Sequence, residues 1–462
     1  MFTMEFSKKQ SERGFVKTLG AALLALSFVS SLVMQPGIAS NSNNNVAVTK
    51  YQPGLSEDMV MPNELIVEVN PIVKYQGVKD LFSTVNAKYS TSLTYQAWLV
   101  QFNNSADMAE AQIKLKQNAN VVSIGRNFKL TQCSSDINNL NSTVNGISGS
   151  IAKMVDSPSD PYFGSEWHMG AVKCASNQPG PNTNAFNGIV ILDNGMSNKS
   201  ANPDTQIMMD NYDLHLGGWN ASWNATADHG TMLATTLGAK WNNIGTAGIQ
   251  KNPRTWSVRL TTWGAGQITE ADLLEGMLWA RANVGNTSGY PMAAVVPLNV
   301  PPPYSLSNIK YHPAFHEICK NIYNNFSGMT YLAAGNNGLY DMSPRVDYIN
   351  VVGACDKDGK ILPSSNRGNC LTLLAPGKDI VCTDHLGKIV SGSGTSFAAV
   401  IAAGVSGLIE NRARDYGHFL SNKQLDYYMK ATCSMKPATS WSDTAGFGMP
   451  DYKAALKAVQ GN

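Results

Sequence analysis

From residue 160 onward the chain alternates short, almost wholly apolar segments with longer segments whose apolar residues recur at helical spacing. Short apolar runs without polar alternation indicate strands that are buried on both faces. Such strands occur in parallel sheets that helices cover on each side. We therefore predict that residues 158–462 form an α/β domain, a parallel sheet flanked by helices. The predicted strands are 188–192, 255–260, 293–296, 330–334 and 348–353, and the predicted helices are 229–238, 268–282 and 313–326.

A smaller unit with a different pattern precedes this domain. Two β-α-β halves follow each other within about 70 residues, which predicts a small α+β module of ferredoxin-like topology over about 61–131. The next stretch, 132–157, is rich in Ser, Asn and Gly, a composition typical of an exposed linker that proteases can reach. The predicted strands of the module are 64–69, 97–102 and 121–124, and its predicted helices are 77–89 and 106–117.

The N-terminus has the layout of a secretory signal peptide, which we assign to residues 1–39. Four basic residues between Lys8 and Lys17 precede an apolar stretch from Leu19 to Met34, and Gly37-Ile-Ala39 supplies small residues for cleavage. The apolar stretch, about 16 residues, is shorter than the roughly 20 residues that span a bilayer. The sequence thus predicts a secreted protein with no stable membrane insertion after signal removal. An uncleaved membrane anchor is the alternative.

Charge and cysteine content bear on several other classes of function. The formal net charge is +2, and no run of Lys or Arg is long enough to indicate a nucleic-acid partner. The seven cysteines lack the CxxC or Cys/His spacing of a zinc site. In an exported protein some of them should form disulfides, and the odd number leaves at least one unpaired. Cys370 and Cys382 flank a strand-turn-strand pattern and could be partners, but the sequence alone leaves the connectivity open.

The segment 391–408 is a candidate for catalytic chemistry. A glycine-rich turn delivers Ser396 to the start of an apolar helix of small residues. Backbone N–H groups are unpaired at a helix start, and the helix dipole there favours negative charge. The same pattern also fits an ordinary Gly/Ser turn that caps a core helix. A nucleophilic role for Ser396 requires a base and a carboxylate elsewhere in the chain.

Two residues could meet that requirement, and a third could support it. Asp193 directly follows a predicted strand, His229 stands where a turn enters a predicted helix, and Asn336 follows another strand. Each of them alone fits a turn or cap residue. Parallel sheets, however, form their sites beyond the carboxyl ends of strands, where these residues lie. The order is Asp, His, Ser, separated by 36 (229 − 193) and 167 (396 − 229) residues.

Four segments around these residues resemble the signature motifs of the subtilisin-like serine proteases (subtilases, peptidase family S8). They are Ile191–Gly195, His229–Ala234, Ala334–Gly338 and Gly394–Ala399. Asp160–Trp167 resembles the start of many mature domains of the family, and residues 64–130 resemble its inhibitory propeptide. The resemblance covers about residues 64–460, and it implies a subtilisin-like fold.

The resemblance also implies roles for these residues. Ser396 would attack the peptide carbonyl, His229 would take and return the proton, and Asp193 would orient the imidazole. The side-chain amide of Asn336 and the backbone N–H of Ser396 would bind the oxyanion. No metal or other cofactor is needed for this chemistry. Calcium is common in the family, but no acidic run in the chain can be matched to its ligands.

The residues beside the motifs also predict the walls of the substrate cleft. We assign Asn299, Val300 and Pro301 to one wall. Where relatives carry an Asn-x-Ser-x-Gly-type run this chain has prolines at 301–303, which cannot donate ladder hydrogen bonds. We therefore expect weakened or reshaped strand pairing with a substrate. The other wall is assigned to Ala333, Ala334 and Gly335.

Two further positions depart from the family pattern. Val400 replaces a proline that usually follows the two alanines of the serine motif, which predicts a local change of packing. Thr235 replaces a glycine that is common after the histidine motif. We expect the helix there to pack slightly further from its neighbour.

Three functions are compatible with these observations. The first is a secreted, monomeric serine endopeptidase that acts on proteins or peptides. It would be made as a zymogen, with residues 40–131 as an autoprocessed propeptide and intramolecular inhibitor, and with processing within about 127–156. The second is a poorly active, protease-like binding protein with a remodelled cleft. The third is an ester hydrolase, which the lack of a Gly-x-Ser-x-Gly elbow disfavours.

Overall fold

The structure is a computed structural model. The predicted signal peptide and most of the predicted linker lie outside the residues that it describes. The described residues are 47–48, 56–94, 96–133, 135–139, 157–179, 188–197, 204, 210–214, 218–219, 228–251, 253–261, 267–285 and 292–461.

The N-terminal module is a five-stranded sheet with two helices. The sheet has the order β1-β5-β2-β4-β3. Neighbouring strands from β2 to β5 pair antiparallel, and β1 joins β5 in parallel. This β-α-β-β-α-β arrangement confirms the ferredoxin-like topology. The elements are β1 (Ala47–Val48), β2 (Val60–Val69), α1 (Tyr75–Thr84), β3 (Tyr89–Ser92), β4 (Ala97–Gln101), α2 (Ser105–Lys116) and β5 (Val121–Phe128).

One boundary inside the module was predicted wrongly. The helix expected over 77–89 ends at Thr84, and Tyr89 already belongs to strand β3. Asn86, between the two elements, has a φ of 54°, a left-handed conformation that ends a helix. The short strand has no apolar alternation of its own, so periodicity alone could not separate it from the helix.

The rest of the chain is built on an eight-stranded sheet of order β10-β9-β11-β8-β12-β14-β16-β18. Seven strands, β9 to β18 in that order, run parallel, and β10 pairs antiparallel with β9 at one edge. This confirms the predicted α/β sheet. Its elements are α3 (Trp167–Ala171), β8 (Gly188–Asp193), β9 (Asp210–Asp213), β10 (Gly218–Trp219), α4 (Asp228–Gly238), β11 (Thr255–Arg259), α5 (Glu270–Ala280), β12 (Met292–Val296), α6 (Pro313–Asn325), β14 (Met329–Ala333), β16 (Ile349–Cys355), β18 (Leu371–Pro376), α7 (Thr395–Asp415), α8 (Asn422–Ala431) and α9 (Tyr452–Gln460).

Short strands form the edges around this sheet. β13 pairs with β6, β15 with β17, and β20 lies between β19 and β7. They are β6 (Thr131–Gln132), β7 (Ser135–Asn139), β13 (Leu298–Asn299), β15 (Tyr340–Asp341), β17 (Arg367–Gly368), β19 (Ile380–Thr383) and β20 (Ile389–Ser393). Within the described residues, no helix is both long and apolar enough to cross a bilayer.

The two faces of the main sheet are covered by separate hydrophobic clusters. In β8, Ile189 and Ile191 belong to one cluster, which contains most of α7. Val190 and Leu192 belong to the other, which contains the apolar face of α5. Successive residues of a strand point to opposite faces, so a strand with both faces covered must be apolar throughout. This explains the uniformly apolar segments from which the sheet was predicted.

All seven cysteines are buried and free. The suggested pairing of Cys370 with Cys382 is therefore wrong. Cys382 packs in the cluster that contains α7, whereas Cys370 packs in the cluster on the other face of the sheet. A strand-turn-strand pattern brings chain segments together, but it does not show which faces their side chains occupy.

Candidate active site

Asp193 is the last residue of β8 and has no exposed surface. Its Oδ2 atom lies 2.6 Å from Nδ1 of His229. Its Oδ1 atom accepts hydrogen bonds from the backbone N–H of Asn194 (2.6 Å) and from the side-chain amide of Gln132 (3.1 Å). A buried carboxylate needs such donors, because burial without partners would penalise its charge.

His229 is the second residue of α4, and its ring joins Asp193 to Ser396. Its Nε2 atom lies 3.1 Å from Oγ of Ser396. The next residue must be glycine, because a Cβ atom on Gly230 would lie 1.9 Å from the carbonyl oxygen of Gly195. This close approach of the helix start to the end of β8 brings the imidazole to the carboxylate.

Ser396 is the second residue of α7 and is fully buried. The preceding cap residue, Gly394, has a φ of 144°, a conformation that favours glycine and sets the sharp turn from β20 into the helix. The hydroxyl of Ser396 also lies 3.0 Å from the carbonyl oxygen of Pro297. It can donate its one proton either to that oxygen or to His229.

These three contacts fix the direction of proton transfer. A carboxylate only accepts hydrogen bonds, so Nδ1 of His229 carries a proton and donates it to Asp193. Nε2 of the neutral ring is then a free acceptor that faces the hydroxyl of Ser396. The arrangement can therefore activate Ser396 as a nucleophile.

Asn336 lies just beyond β14, and its two amide atoms are used differently. Its Oδ1 atom accepts hydrogen bonds from the backbone N–H (3.0 Å) and the hydroxyl (3.1 Å) of Thr395. Its buried Nδ2 atom has no partner among the described residues. A buried amide donor without a partner is poised to bind a charge that appears only during a reaction.

The predicted walls of the cleft are joined by the buried side chain of Asn299. Its Nδ2 atom donates to the carbonyl oxygens of Ala333 (3.2 Å) and Ala334 (3.1 Å) on the opposite wall. Its Oδ1 atom accepts from the backbone N–H groups of Val300 (2.9 Å) and Leu306 (3.0 Å). Asn299 thus braces the cleft with its side chain and leaves its backbone to pair with another strand.

The proline-containing wall, at which weakened or reshaped strand pairing is expected, keeps a short ladder with the chain's own segment. Leu298 and Asn299 form an antiparallel ladder with Gln132 and Thr131. The prolines at 301–303 come after these residues, where the carbonyl oxygen of Pro301 accepts a turn hydrogen bond from Tyr304. They interrupt the wall beyond the ladder and therefore remove none of its donors.

The two other departures from the motifs have simple structural explanations. Val400 is fully buried in the middle of α7 and continues the helix. The hydroxyl of Thr235 lies 3.1 Å from both the backbone nitrogen and the carbonyl oxygen of Thr383 in β19. Where we expect α4 to pack slightly further from its neighbour, the hydroxyl of Thr235 links the helix directly to that strand.

Sequence reasoning missed three contributors to the site. They are the carbonyl of Pro297, the hydroxyl of Thr395 and the side chain of Gln132. Pro297 acts through its backbone, which no side-chain pattern reveals. Gln132 is distant in sequence from Asp193 and belongs to the segment that was taken for a linker, so its role depends on a long-range pairing that periodicity does not encode.

One group of side chains among the described residues has the composition of a metal site. Asp228, Asp384 and His385 could together reach a metal ion. The Nδ1 atom of His385, however, is hydrogen bonded to Asp228, and Oδ1 of Asp384 already accepts from Leu386 and Lys388. Calcium requires several oxygen ligands. This donor set does not fit calcium.

The parallel sheet and the Asp–His–Ser series have the arrangement of a serine hydrolase site. The chain belongs to the subtilase family, whose sequence profile matches residues 188–448. The thermophilic serine proteinase of Bacillus sp. (strain AK1) is 31% identical over 192 residues, which are 41% of this chain and 44% of that protein. Subtilisin Savinase of Lederbergia lenta is 27% identical over 232 residues, 50% of this chain and 77% of that protein.

The solved structures support the fold over a longer part of the chain. The crystal structure of fervidolysin from Fervidobacterium pennivorans, a keratinolytic enzyme related to subtilisin, matches with a TM-score of 0.66 at 15% identity. The match covers 87% of this chain and 62% of fervidolysin. It confirms the predicted subtilisin-like fold. The chain spans about half the length of the first curated relatives, 44% and 55%.

Proposed function

We propose that this chain is a secreted serine endopeptidase made as a zymogen, whose N-terminal module is an intramolecular inhibitor. One observation carries the proposal. Asp193, His229 and Ser396 form a continuous series of contacts, of 2.6 Å and 3.1 Å, in a buried site. Membership of the subtilase family supports the same activity, and the basic and apolar N-terminus supports export.

The geometry suits acyl transfer from a peptide. Oγ of Ser396 attacks the carbonyl carbon while its proton passes to Nε2 of His229, and Asp193 stabilises the imidazolium that forms. The backbone N–H of Ser396 and the Nδ2 atom of Asn336 then donate to the oxyanion. The imidazolium returns its proton to the departing amine. Water completes the reaction by attacking the acyl-enzyme through the same steps in reverse.

The inhibitory role of the module is supported by how its C-terminal segment lies in the cleft. The backbone N–H of Leu130 donates to the carbonyl oxygen of Ile268 (2.8 Å). The side chain of Gln267 donates to the carbonyl oxygen of Leu130 (2.7 Å). With the ladder between β6 and β13, these bonds hold the segment as a substrate strand would lie, so other peptides are kept out.

The module also contacts the sheet domain outside the cleft. The Oδ1 atom of buried Asn127 accepts from the backbone N–H of Ala271 (3.0 Å). This N–H lies at the start of α5, where donors have no partner within the helix. The ring of Phe128 packs against Tyr304 and His312, with centroid distances of 5.4 Å and 4.9 Å. An inhibitor that must stay bound after cleavage needs such contacts away from the scissile bond.

Expression of the full chain beside Ser396→Ala tests the proposal. We expect the parent protein to hydrolyse an unfolded protein and to react with a serine-directed phosphonate, and the variant to do neither. Ser406→Ala is a matched control, because Ser406 is a buried serine of the same helix whose hydroxyl donates to the carbonyl oxygen of Ala403. It should keep both properties.

The outcome also separates the other functions. A folded parent protein with neither hydrolysis nor labelling would contradict the peptidase and favour a protease-like binding protein. Turnover of esters without turnover of peptides would favour an ester hydrolase. Retention of the full chain in the cell, with its N-terminus intact, would contradict secretion.

A further inference from the structure

The carbonyl group of Cys133 occupies the position of a reacting carbonyl. Its oxygen accepts a hydrogen bond of 3.0 Å from the backbone N–H of Ser396, one of the two proposed oxyanion donors. The backbone N–H of Cys133 donates to the carbonyl oxygen of Pro297 at 3.0 Å. That same oxygen lies 3.0 Å from Oγ of Ser396, so the nucleophile and the Cys133 backbone share one neighbour.

The chain is held on both sides of this residue. Before it, Thr131 and Gln132 pair with β13. After it, Ser135–Asn139 forms β7, which pairs antiparallel with β20. The register places Ser135 opposite Ser393, three residues before Ser396. The chain is therefore held in ladders before and after Cys133, and the carbonyl group of Cys133 lies at Ser396.

We propose that the peptide bond between Cys133 and Ser134 is the bond that the enzyme hydrolyses in its own chain. The inhibitor then ends at Cys133, and the peptidase begins at Ser134. This inference rests on the proposed function and adds to it the processed bond and the side-chain class that the cleft accepts. The carbonyl oxygen of Leu130, three residues earlier, accepts from Gln267, whereas that of Cys133 accepts from the N–H of Ser396. This difference in hydrogen bonding selects the bond after Cys133.

The reaction requires only water in addition to the groups of the chain itself. Oγ of Ser396 forms a bond to the carbonyl carbon of Cys133, and the serine proton passes to His229. The bond from that carbon to the nitrogen of Ser134 breaks, and the nitrogen takes the proton to become a free amine. Water then hydrolyses the ester, which leaves a carboxylate on Cys133 and restores Ser396.

The thiol of Cys133 takes no part in these steps. Burial raises its pKa to about 12, so it stays protonated at neutral pH. A protonated thiol is a weak nucleophile. In the cleft, Cys133 serves as a small apolar side chain.

The environment of this segment indicates which side chains the cleft would accept in other substrates. The side chain of Cys133 is 3% exposed and packs in the hydrophobic cluster that contains Ala333. Asn299 links its own wall to Ala333 and Ala334 on the opposite wall, which limits how far the walls can separate around this side chain. Leu130, three residues earlier, is buried in the other cluster. We infer a preference for a small apolar residue before the cleaved bond and for a leucine-like residue three positions ahead of it.

The test uses the full chain, with N-terminal sequencing and intact masses of both products. We expect a new N-terminus at Ser134 in the parent protein and in Cys133→Ala, and an uncut chain for Ser396→Ala. Cys133→Arg should slow self-cleavage at this bond by about 100-fold or more, because it places a charge in an apolar pocket. Val122→Arg is the matched control, since Val122 is an exposed apolar residue of β5 outside the cleft and should tolerate arginine.

A second measurement tests the same inference without requiring the Cys133→Arg chain to fold. Synthetic peptides with the sequence of residues 129–139, carrying Cys, Ala or Arg at position 133, are offered to the processed parent enzyme. The Cys and Ala peptides should be cut after that position and the Arg peptide should not. An active enzyme with its N-terminus elsewhere, or equal cleavage of all three peptides, would overturn the inference. An inactive protein that never processes itself would instead overturn the proposed function.

Discussion

The side-chain nitrogen of Asn299 lies 3.2 Å from the carbonyl oxygen of Ala333, so one buried side chain joins the two walls of the cleft. A polar side chain in this position cannot be replaced by an apolar one without leaving buried partners unpaired. We expect Asn299→Ala to lower the free energy of unfolding by about 2 kcal/mol. Because both walls position the substrate, KM should rise more than kcat falls. Thermal unfolding and peptide kinetics measure the two effects.

The control for this prediction is Asn324→Ala, at an exposed position of α6. That variant should match the parent protein within about 0.5 kcal/mol, as surface substitutions usually do. If Asn299→Ala were as stable and as active as Asn324→Ala, the brace would have no energetic role.

Asn336 permits a sharper experiment, because its two amide atoms have separate functions. Asn336→Asp keeps an oxygen that can accept from Thr395 but replaces the unpartnered Nδ2 donor with a carboxylate oxygen. We expect kcat to fall by about 10²–10³-fold with little change in KM. Asn336→Ala should show the same kinetic loss and a further loss of about 1 kcal/mol in stability, because the N–H of Thr395 loses its partner.

Asn337→Ala, an exposed neighbour, is the reference for both variants. The rates are measured for peptide hydrolysis and for self-cleavage. An Asn336→Asp enzyme within tenfold of the reference in kcat would show that the amide does not stabilise the transition state.

Replacement of Asp193 by asparagine tests the proton arrangement. Its Oδ2 atom now accepts from Nδ1 of His229, which fixes the tautomer of the ring. An amide NH₂ placed there would favour the opposite tautomer and leave Nε2 protonated, facing Ser396. We expect Asp193→Asn to lower kcat by about 10⁴-fold at neutral pH and to accumulate uncut chain. Labelling by a serine-directed phosphonate should slow in parallel, and an unchanged labelling rate would contradict the assigned roles.

Features of the site that depend on local periodicity could be predicted from the sequence, and those that depend on long-range strand pairing could not. The positions of Asp193, His229 and Ser396 at the ends of elements could be predicted, because strand and helix periods are local and parallel strands end at one edge. The structure brings those three side chains together. The carbonyl of Cys133 could not be placed in the same way. Its position depends on pairing with β13 and β20, which are distant in sequence.

Side-chain faces were the second limit. The proline-containing wall suggested a damaged cleft, but the pairing residues precede the prolines, and Asn299 closes the structure from within. Cys370 and Cys382 looked like neighbours along the chain, but they pack on opposite faces of the sheet. The local pattern did not show which residues of the wall form the ladder, nor which face of the sheet each cysteine occupies.

Glu68 in β2 should make the stability of the uncut chain depend on pH. It is 4% exposed, accepts a hydrogen bond from the hydroxyl of Ser123, and faces the charges of Glu317 and Glu270. Burial raises its pKa from 4.5 to about 7, and the two nearby carboxylates raise it further against the opposing effect of Ser123. The folded chain thus keeps a proton that the unfolded chain loses. Stability should therefore be greatest below pH 4.5 for this group and fall as pH rises to about 7.

Glu68→Gln in the uncut Ser396→Ala background isolates this effect. The uncharged side chain avoids the cost of ionisation. The difference in unfolding free energy between the variant and its parent should therefore grow by roughly 2–4 kcal/mol, in favour of the variant, as the pH rises from 5 to 8. Denaturant unfolding at several pH values measures the difference. Glu110→Gln, at an exposed position whose carboxylate pairs with Lys114, should lose a few tenths of a kcal/mol throughout this pH range. A constant difference between Glu68→Gln and its parent across this range would show that Glu68 is ionised in the folded chain throughout.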